Sequence, residues 1–504
     1  MTSRRRSISR QLDNLGLRVQ ARVDAAWADR VVPYAAAVVL FGVLMAVTLA
    51  TIRQLDGGSN LGVWRQAAWL VRHDLDAETS LSSNNPILDS GSFLSYPVMW
   101  ATRVAPPSGV FAAVHALALS LGVIALWKIC RTEVALRIGA TSALVLAYSL
   151  SPALHAANLS IFRPEVIAVP ALFWAYLSAR RAQWPQFAVA VAIVLLCRAD
   201  LGLTVAALGL LVMAEGARRV GLTTVVVGVT WTAVAVIWLH PELPVGPLTA
   251  AQIAGAQSSA PLAALRSLAI DPVRVLSDVF SNPSTEVMVV LLGPLLFLPL
   301  VATRYVMPAI PAVVLGLAGS QGLARLVEPG VPAPSRPGEQ VVVALPFVLV
   351  AATMAFGRIG RPSITRINVD HRLVAALACG AVLFFVDSAP NSPYERPWEW
   401  GGRDVVDTAR EEAADRVPED ATVAASPQMT ELLAERSVLQ QLSVAPPSRA
   451  STREFEAIAL DTTGTTESGL PLWTDVDLLR VLDALREQGY RVRFRSEGIF
   501  VFTR

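Results

Sequence analysis

The feature that most constrains this chain is a series of apolar segments, each near the ~20 residues that an α-helix needs to cross a bilayer. They recur from residue 31 to residue 388, separated by short polar or arginine-bearing connections. This series predicts a polytopic α-helical membrane protein with about eleven transmembrane helices. The predicted spans are 31–52, 108–128, 134–152, 164–179, 184–197, 200–216, 220–239, 285–303, 305–321, 340–357 and 372–388.

Composition agrees with a protein whose main solvent is lipid. Hydrophobic residues make up 53% of the chain and charged residues 16%, and the mean hydropathy is +0.49. A formal net charge of +2 gives no indication of nucleic-acid binding. Cys130, Cys197 and Cys379 lie in or beside apolar segments without CxxC spacing, so neither a disulfide framework nor a metal site built on cysteine is expected.

The distribution of arginine predicts how the chain is oriented. Residues 1–30 contain seven arginines against three aspartates, and arginine or lysine recurs at every second connection. Because positive residues near a span stay on the cytoplasmic side, we expect a cytoplasmic N-terminus and an extracytoplasmic segment 389–504. Residues 1–30 also mix apolar and basic positions, as in a helix lying on the inner leaflet of the cell membrane.

The predicted domains are a cytoplasmic amphipathic segment at 1–30, a transmembrane domain at 31–388 and an extracytoplasmic domain at 389–504. The first outer loop, 53–107, contains two apolar stretches with aromatic residues, 61–71 and 93–104. We expect both to lie flat on the outer leaflet. The alternative is packing within the loop.

Prolines 390, 393 and 397 mark a change to charged sequence, and the tail beyond them alternates between helical and strand patterns. The predicted helices are 404–416, 428–435 and 475–487. The predicted strands are 421–425, 438–442, 457–460, 491–495 and 499–503, the last two forming a hairpin. This alternation predicts a small α/β domain. It has no glycine-rich phosphate loop, metal cluster or Ser/His/Asp grouping, so we expect it to act as a lid or docking module.

Ionisable groups at membrane depth are costly, so each is a candidate functional residue. On the predicted outer face they fall in two turns, which contain His155, Asn158, Arg163, Glu165, Arg198 and Asp200. The first outer loop adds Asp56, Arg65 and Asp89. One interpretation is a single outward-facing cavity in which arginines bind phosphate and a carboxylate acts as base. The alternative is that Arg163–Glu165 and Arg198–Asp200 are structural ion pairs.

Several segments resemble the predicted membrane proteins of domain-of-unknown-function family 2079. They are NLGVWRQAAW (60–69), SPALHAANLSIFRPEVIAVP (151–170), LLCRADLGLTVAALGL (195–210) and VPEDATVAAS (417–426). The resemblance covers nearly the whole chain. It implies a GT-C-like fold and transfer of a sugar from a polyprenyl-phosphate donor. In such enzymes an acidic residue of the first outer loop acts as base or positions a metal, so a divalent cation is a candidate cofactor.

The chain departs from the family pattern at three positions. Asn60 and Arg65 stand where the family has aspartates, and Arg163 where it has histidine. Asp56 is the expected replacement carboxylate, and Asp89 is the second choice. The loop 328–339 also lacks the His-Tyr element expected of the family.

Three functions remain open. The first is a lipid-linked sugar transferase that assembles cell-envelope glycan or glycolipid on the outer face of the cytoplasmic membrane. The second is a non-catalytic relative that binds lipid or an envelope-assembly protein through residues 389–504. The third is a transporter. Matched internal repeats or broken helices in two halves would favour transport, and the sequence shows neither beyond the proline pairs Pro294/Pro299 and Pro308/Pro311.

Overall fold

The computed structural model describes residues 24, 26–239, 247–327, 338–362, 365–390, 392, 401–442, 455–464 and 474–504. Of the amphipathic segment predicted at 1–30 it therefore covers only the end. The prolines at 393 and 397, and most of the loop 328–339, lie outside the described residues.

Helices form most of the described chain. The α-helices are α1 (Ala26–Arg53), α2 (Gly58–Arg72), α3 (Ser95–Ala101), α4 (Pro107–Lys128), α5 (Ile138–Ser149), α6 (Pro152–Asn158), α7 (Ala168–Arg180), α8 (Trp184–Cys197), α9 (Leu201–Ala214), α10 (Arg218–Leu239), α11 (Ala250–Gln257), α12 (Ala260–Ile270), α13 (Pro272–Val279), α14 (Asn282–Leu292), α15 (Ile310–Ala324), α16 (Leu345–Ile359), α17 (His371–Ser388), α18 (Val405–Ala414) and α19 (Asp475–Glu487). Short 3₁₀ segments are Pro164–Ile167, Gly293–Leu295, Leu298–Tyr305, Met307–Ala309, Glu339–Ala344 and Pro427–Met429, and Ile129–Glu133 is π-helical.

Within the described residues, six helical segments are long and apolar enough to cross a membrane, and a bent pair makes up to seven. The six are Ala26–Arg53, Pro107–Glu133, Arg218–Leu239, Met307–Ala324, Glu339–Ile359 and His371–Ser388. A polytopic helical membrane protein is therefore confirmed. The spans predicted at 134–152, 164–179, 184–197 and 200–216 coincide with the shorter helices α5, α7, α8 and α9. Helix α8, with 14 residues, is about 21 Å long against a hydrocarbon core of ~30 Å.

The span predicted at 285–303 is not a single continuous helix, which is one reason why the structure does not reproduce eleven spans. Helix α13 and the segment Asn282–Leu295 meet at 53°. After α14 the chain enters two residues with left-handed φ, Leu296 and Phe297, and continues as 3₁₀ turns to Tyr305. The apolar run at 285–303 is thus a broken helix, which hydropathy alone does not distinguish from a continuous one.

Connections rich in arginine meet at one end of the helix bundle. The Nε of Arg131 lies 2.6 Å from Oδ1 of Asp29 in α1, and Nη2 of Arg366 lies 3.5 Å from the other carboxyl oxygen of Asp29. A second group of ion pairs at these connections contains Glu133, Glu215, Arg180, Arg181 and Arg304. Their contacts agree with a single polar end. That this end faces the cytoplasm stays a prediction from charge distribution.

Helix α2, in the first outer loop, lies between the bundle and the tail. Trp64 is buried with Phe111 of α4 and with Phe162, whose ring meets it edge-on at 5.0 Å between centroids. On the adjoining face Val63 belongs to the apolar core of the tail, together with Met429. The prediction that this stretch lies flat on the outer leaflet is wrong, because protein covers both of its faces. For α3, where Trp100 is 56% exposed, the interfacial position stays a prediction.

The tail contains a five-stranded mixed sheet in the order β4-β3-β5-β7-β6. Its strands are β3 (Val423–Ala425), β4 (Leu439–Gln441), β5 (Ala457–Asp461), β6 (Arg491–Ser496) and β7 (Ile499–Thr503), and a separate two-residue pair is formed by β1 (Arg361–Pro362) and β2 (Ile367–Asn368). Strands β4, β3 and β5 are parallel, and β7 pairs antiparallel with β5 and with β6. The small α/β tail and its closing hairpin are therefore confirmed.

One element of the tail differs from its prediction. The segment 428–435 forms only the 3₁₀ turn Pro427–Met429 followed by irregular turns, instead of a helix. Its backbone is used by the neighbouring loop: the carbonyl oxygen of Glu431 accepts a hydrogen bond from Arg65, and that of Arg436 accepts one from Gln66. These tertiary bonds take the place of helical ones.

Candidate functional site at the junction of the first outer loop and the tail

Asp56 lies in the turn that joins α1 to α2, and its side chain is exposed. Leu55 reverses the chain with a left-handed φ of 56°, and the amide of Asp56 donates to the carbonyl of Thr51 at 3.1 Å. The turn therefore ends the first span and presents a carboxylate at the predicted outer surface. Arg53, the last residue of α1, is also exposed, and its carbonyl oxygen accepts a hydrogen bond from Nε of Arg403 at 2.8 Å.

The tail brings a second carboxyl group to this turn. Glu431 is 2% exposed, and a Cβ built on Gly57, the residue after Asp56, would lie 2.7 Å from its Oε2. Within the described residues this Oε2 has no hydrogen-bond partner. Burial raises the pKa of Glu431 to about 7, and the charge of Asp56 also raises it, while Arg65 and the amides of Gly57 and Gly58 oppose the shift.

Charged and amide side chains of α2 hold the tail in this position. Glu435 accepts hydrogen bonds from Arg65 at 2.9 Å and from Arg72 at 2.6 Å, and these arginines lower its pKa. Gln66 is fully buried: its Nε2 donates to the carbonyl of Arg436 at 3.2 Å. Arg65, predicted to bind substrate, is thus engaged with the tail.

A second group of predicted site residues forms a buried ionic cluster. Arg198 lies 2.8 Å from Oε1 of Glu165 and pairs through two nitrogens with Asp200, at 2.5 and 3.1 Å. Arg163 lies 2.6 Å from the same oxygen of Glu165 and also pairs with Glu339, 176 residues away in sequence. All five side chains are at most 5% exposed. Two arginines face three carboxylates, so the cluster has no surplus positive charge for a phosphate.

Asn60 connects the two groups. From the first turn of α2, its Nδ2 donates to the carbonyl oxygen of Ser160 at 2.6 Å and lies 3.4 Å from that of Phe162. Phe162 immediately precedes Arg163 of the ionic cluster. Asn60 therefore fastens the start of α2 to the segment that carries the cluster.

Of the remaining predicted residues, Asn158 and His155 each make a hydrogen-bond contact with a part of the bundle outside both groups. Nδ2 of Asn158 donates to Thr48 in α1 at 2.9 Å, and Nε2 of His155 is 2.9 Å from the carbonyl of Ser149. Asp89 belongs to a loop that packs on the turn carrying Arg198, where the carbonyl of Ser90 accepts from Ala199 at 3.0 Å. Partial burial raises the pKa of Asp89. The residues predicted to share one cavity are thus divided among three places. They are the contact of the first outer loop with the tail, where Asp56, Arg65 and Glu431 lie, the ionic cluster, and separate structural contacts.

The described residues form no group of three or more histidine, cysteine or acidic side chains that could hold a metal ion. Asp56 and Glu431 supply only two carboxyl groups, one of them buried. Within the described residues these two groups alone do not complete a metal site, and a divalent cation as cofactor stays a prediction.

The sequence patterns missed Glu339 and Glu431 of these groups, and also His115, which belongs to neither. Glu339 directly precedes the apolar run of the predicted span 340–357, and a charge at that edge is a usable signal. His115 lies inside the span 108–128, where a lone ionisable residue is itself a signal; it is 1% exposed, and neither ring nitrogen has a hydrogen-bond partner among the described residues. Glu431 carries no such signal, because its burial depends on contact with α2.

Comparison with known families places the chain. The model of the family described as "Predicted membrane protein (DUF2079)" matches residues 52–501. The chain belongs to this family. Asn60 and Arg65 lie within the residues that match the DUF2079 family. No curated protein matches the sequence.

Two solved structures are similar to this member of the DUF2079 family in overall form. They are ArnT from Cupriavidus metallidurans bound to undecaprenyl phosphate, with TM-score 0.47, 12% identity and coverage of 95% of this chain and 98% of that one, and the same protein in the apo state, with TM-score 0.43, 12% identity and coverage of 91% and 97%.

Proposed function

We propose that this protein is a GT-C-like membrane glycosyltransferase that uses a polyprenyl-phosphate sugar donor on the outer face of the cytoplasmic membrane. The observation that carries the proposal is the exposed carboxylate of Asp56, held at the end of the first span between the bundle and the tail. It lies in the loop where the family resemblance predicts an acidic catalytic residue. A carboxylate there can meet a donor whose lipid chain remains in the bilayer.

The reaction assigns a simple role to each exposed group. Asp56 accepts the proton of the acceptor hydroxyl while the hydroxyl oxygen attacks the anomeric carbon of the sugar. The bond from that carbon to the phosphate oxygen breaks, and polyprenyl phosphate leaves with the electron pair. Positive charge near the leaving phosphate stabilises it; Arg53, exposed and one turn before Asp56, is our candidate for this role.

The ionic cluster has a supporting role in this proposal. Arg163, Glu165, Arg198, Asp200 and Glu339 pair with one another and fix the turns beneath α2. Asn60 fixes α2 to the segment that carries the cluster, and Arg65 fixes α2 to the tail. Their effect on a substrate is exerted through the position of Asp56.

A second function is favoured by one observation. Asn60 and Arg65, at positions where the family has aspartates, both make structural contacts. A chain that lost these carboxylates can retain the fold to bind lipid or an envelope-assembly protein through the tail. A transporter has no comparable support.

The test is sugar transfer by the purified protein in lipid nanodiscs, with a panel of radiolabelled polyprenyl-phosphate sugars. Turnover that is lost in Asp56→Asn supports the transferase. Binding of polyprenyl phosphate without turnover for any donor supports the second function.

A further inference from the structure

The carboxyl group of Glu431 is buried at the start of α2. It reaches from the tail to the start of α2, and its Oε2 has no hydrogen-bond partner among the described residues. A buried polar atom without a partner destabilises the folded state. A glutamine of nearly the same shape would avoid burying an ionisable group at this position.

The groups that face Glu431 set its charge. From α2 there is Arg65, whose Nη1 donates to the carbonyl of Glu431 at 2.9 Å. From the turn before α2 there are the carboxylate of Asp56 and the amides of Gly57 and Gly58. Glu435, from the tail itself, is neutralised by Arg65 and Arg72. Glu431 thus interacts with one carboxylate and one shared arginine.

We propose that Glu431 is a positioning residue that acts through Asp56. It takes up the proton that Asp56 has removed from the acceptor. This inference rests on the transferase function proposed above. The acceptor oxygen loses its proton to the Asp56 carboxylate and forms the new bond to the sugar. That proton then passes to the Glu431 carboxylate, and Asp56 is again ionised. The phosphate leaves with the electron pair of the broken bond, and Glu431 later releases the proton to water.

The acid–base properties of Glu431 suit this role. With a pKa of about 7 the group is roughly half ionised at neutral pH, so it can both take up and release a proton. Because the Asp56 carboxylate raises that pKa, the two groups are coupled: the charge on one changes the proton affinity of the other.

The first arm of the test is the pH profile of sugar transfer by the full-length protein in nanodiscs. Wild type should lose activity as pH falls through about 7, where Glu431 becomes protonated. Glu431→Gln should turn over roughly tenfold more slowly at neutral pH and lose this transition. Glu431→Asp should recover part of the rate and part of the pH transition. The control is Glu412→Gln, which removes an exposed carboxylate of the tail and should keep the transition.

The second arm needs no turnover. Infrared difference spectra over a pH titration should show the C=O band of a buried protonated carboxylic acid that disappears as pH rises through about 7 and is absent from Glu431→Gln. In Asp56→Asn the midpoint of this band should move to lower pH, because the neighbouring negative charge is gone.

The two arms separate the two proposals. No turnover with any donor overturns the transferase. Turnover with a Glu431→Gln pH profile that overlays wild type, or an infrared midpoint unchanged in Asp56→Asn, overturns the role of Glu431 and leaves the transferase standing. If Glu431→Gln fails to fold, the infrared comparison of wild type with Asp56→Asn still decides the coupling.

Discussion

The side chain of Glu431 fills the space in front of Gly57. A Cβ on Gly57 would lie 2.7 Å from Oε2 of Glu431 and 2.6 Å from Cδ2 of Leu61. Gly57 has φ −66°, which any residue adopts, so the need for glycine here is one of space. We expect Gly57→Ala to push the side chains of Glu431 and Leu61 aside and to loosen the contact of the tail with α2, at a cost of about 1 kcal/mol because both side chains are flexible.

Hydrogen exchange of the backbone amides in Gly58–Arg72 measures this effect. Exchange should be faster in Gly57→Ala than in wild type. Gly42→Ala, in α1, is the control, because nothing lies within 4 Å of its added Cβ. If both variants exchange at the wild-type rate, the tail is not seated on Gly57 as described.

The pKa of Glu431 predicts a pH-dependent stability. The folded-state pKa is raised from 4.5 to about 7, so the folded protein binds the proton more tightly than the unfolded chain does. Its contribution is favourable below about pH 4.5 and is lost as pH rises through about 7, a change of roughly 3 kcal/mol. Glu431→Gln should therefore match wild type in acid and become the more stable protein above neutral pH. Thermal unfolding of the tail across this window measures the difference, and parallel curves for the two proteins would argue against a buried carboxyl.

The ionic cluster predicts that removing one of its arginines costs more folding stability than removing one of its carboxylates. Arg163→Met leaves the three carboxylates facing Arg198 alone, and we expect a loss of about 3–5 kcal/mol. Glu339→Gln instead leaves two arginines and two carboxylates, a balanced set, so its loss should be smaller. Thermal unfolding in detergent compares the two variants. A Glu339→Gln protein that is the less stable of the pair would contradict this charge balance.

How far the sequence predicts this structure differs between its parts. Apolar run length identifies the long helices α1, α4, α10 and α17, since lipid imposes that length directly. It does not distinguish a continuous span from the break at Leu296 and Phe297. In the tail, the hairpin at β6 and β7 follows from local pattern, whereas the irregular segment after Met429 is determined by its contact with α2.

The candidate site shows the same division. The sequence identified Arg163, Glu165, Arg198 and Asp200 because charged residues stand out beside apolar runs. It did not identify Glu339, the second partner of Arg163, and it placed no tail residue at the site. The contact of Glu431 with Gly57 joins positions far apart in the chain, and no local periodicity reports it.

The predicted orientation can be tested with cysteine substitutions. A membrane-impermeant maleimide added to intact spheroplasts should label Asp74→Cys, in the first outer loop, and should not label Arg219→Cys until the membrane is opened. Both positions are exposed in the structure. Of the native cysteines, Cys130 and Cys197 are buried and Cys379 is exposed, so Cys379→Ser provides the background. Labelling of Arg219→Cys but not of Asp74→Cys in intact spheroplasts would show that the topology is the reverse of the predicted one.

The central claim is that Asp56 is the base of a lipid-linked sugar transfer. The direct measurement is initial rate against donor concentration for wild type, Asp56→Asn and the control Glu78→Gln, which removes another exposed carboxylate of the same loop. We expect Asp56→Asn to lower kcat by about 10²-fold or more with little change in KM, and Glu78→Gln to behave as wild type. A kcat for Asp56→Asn equal to that of wild type would contradict the account.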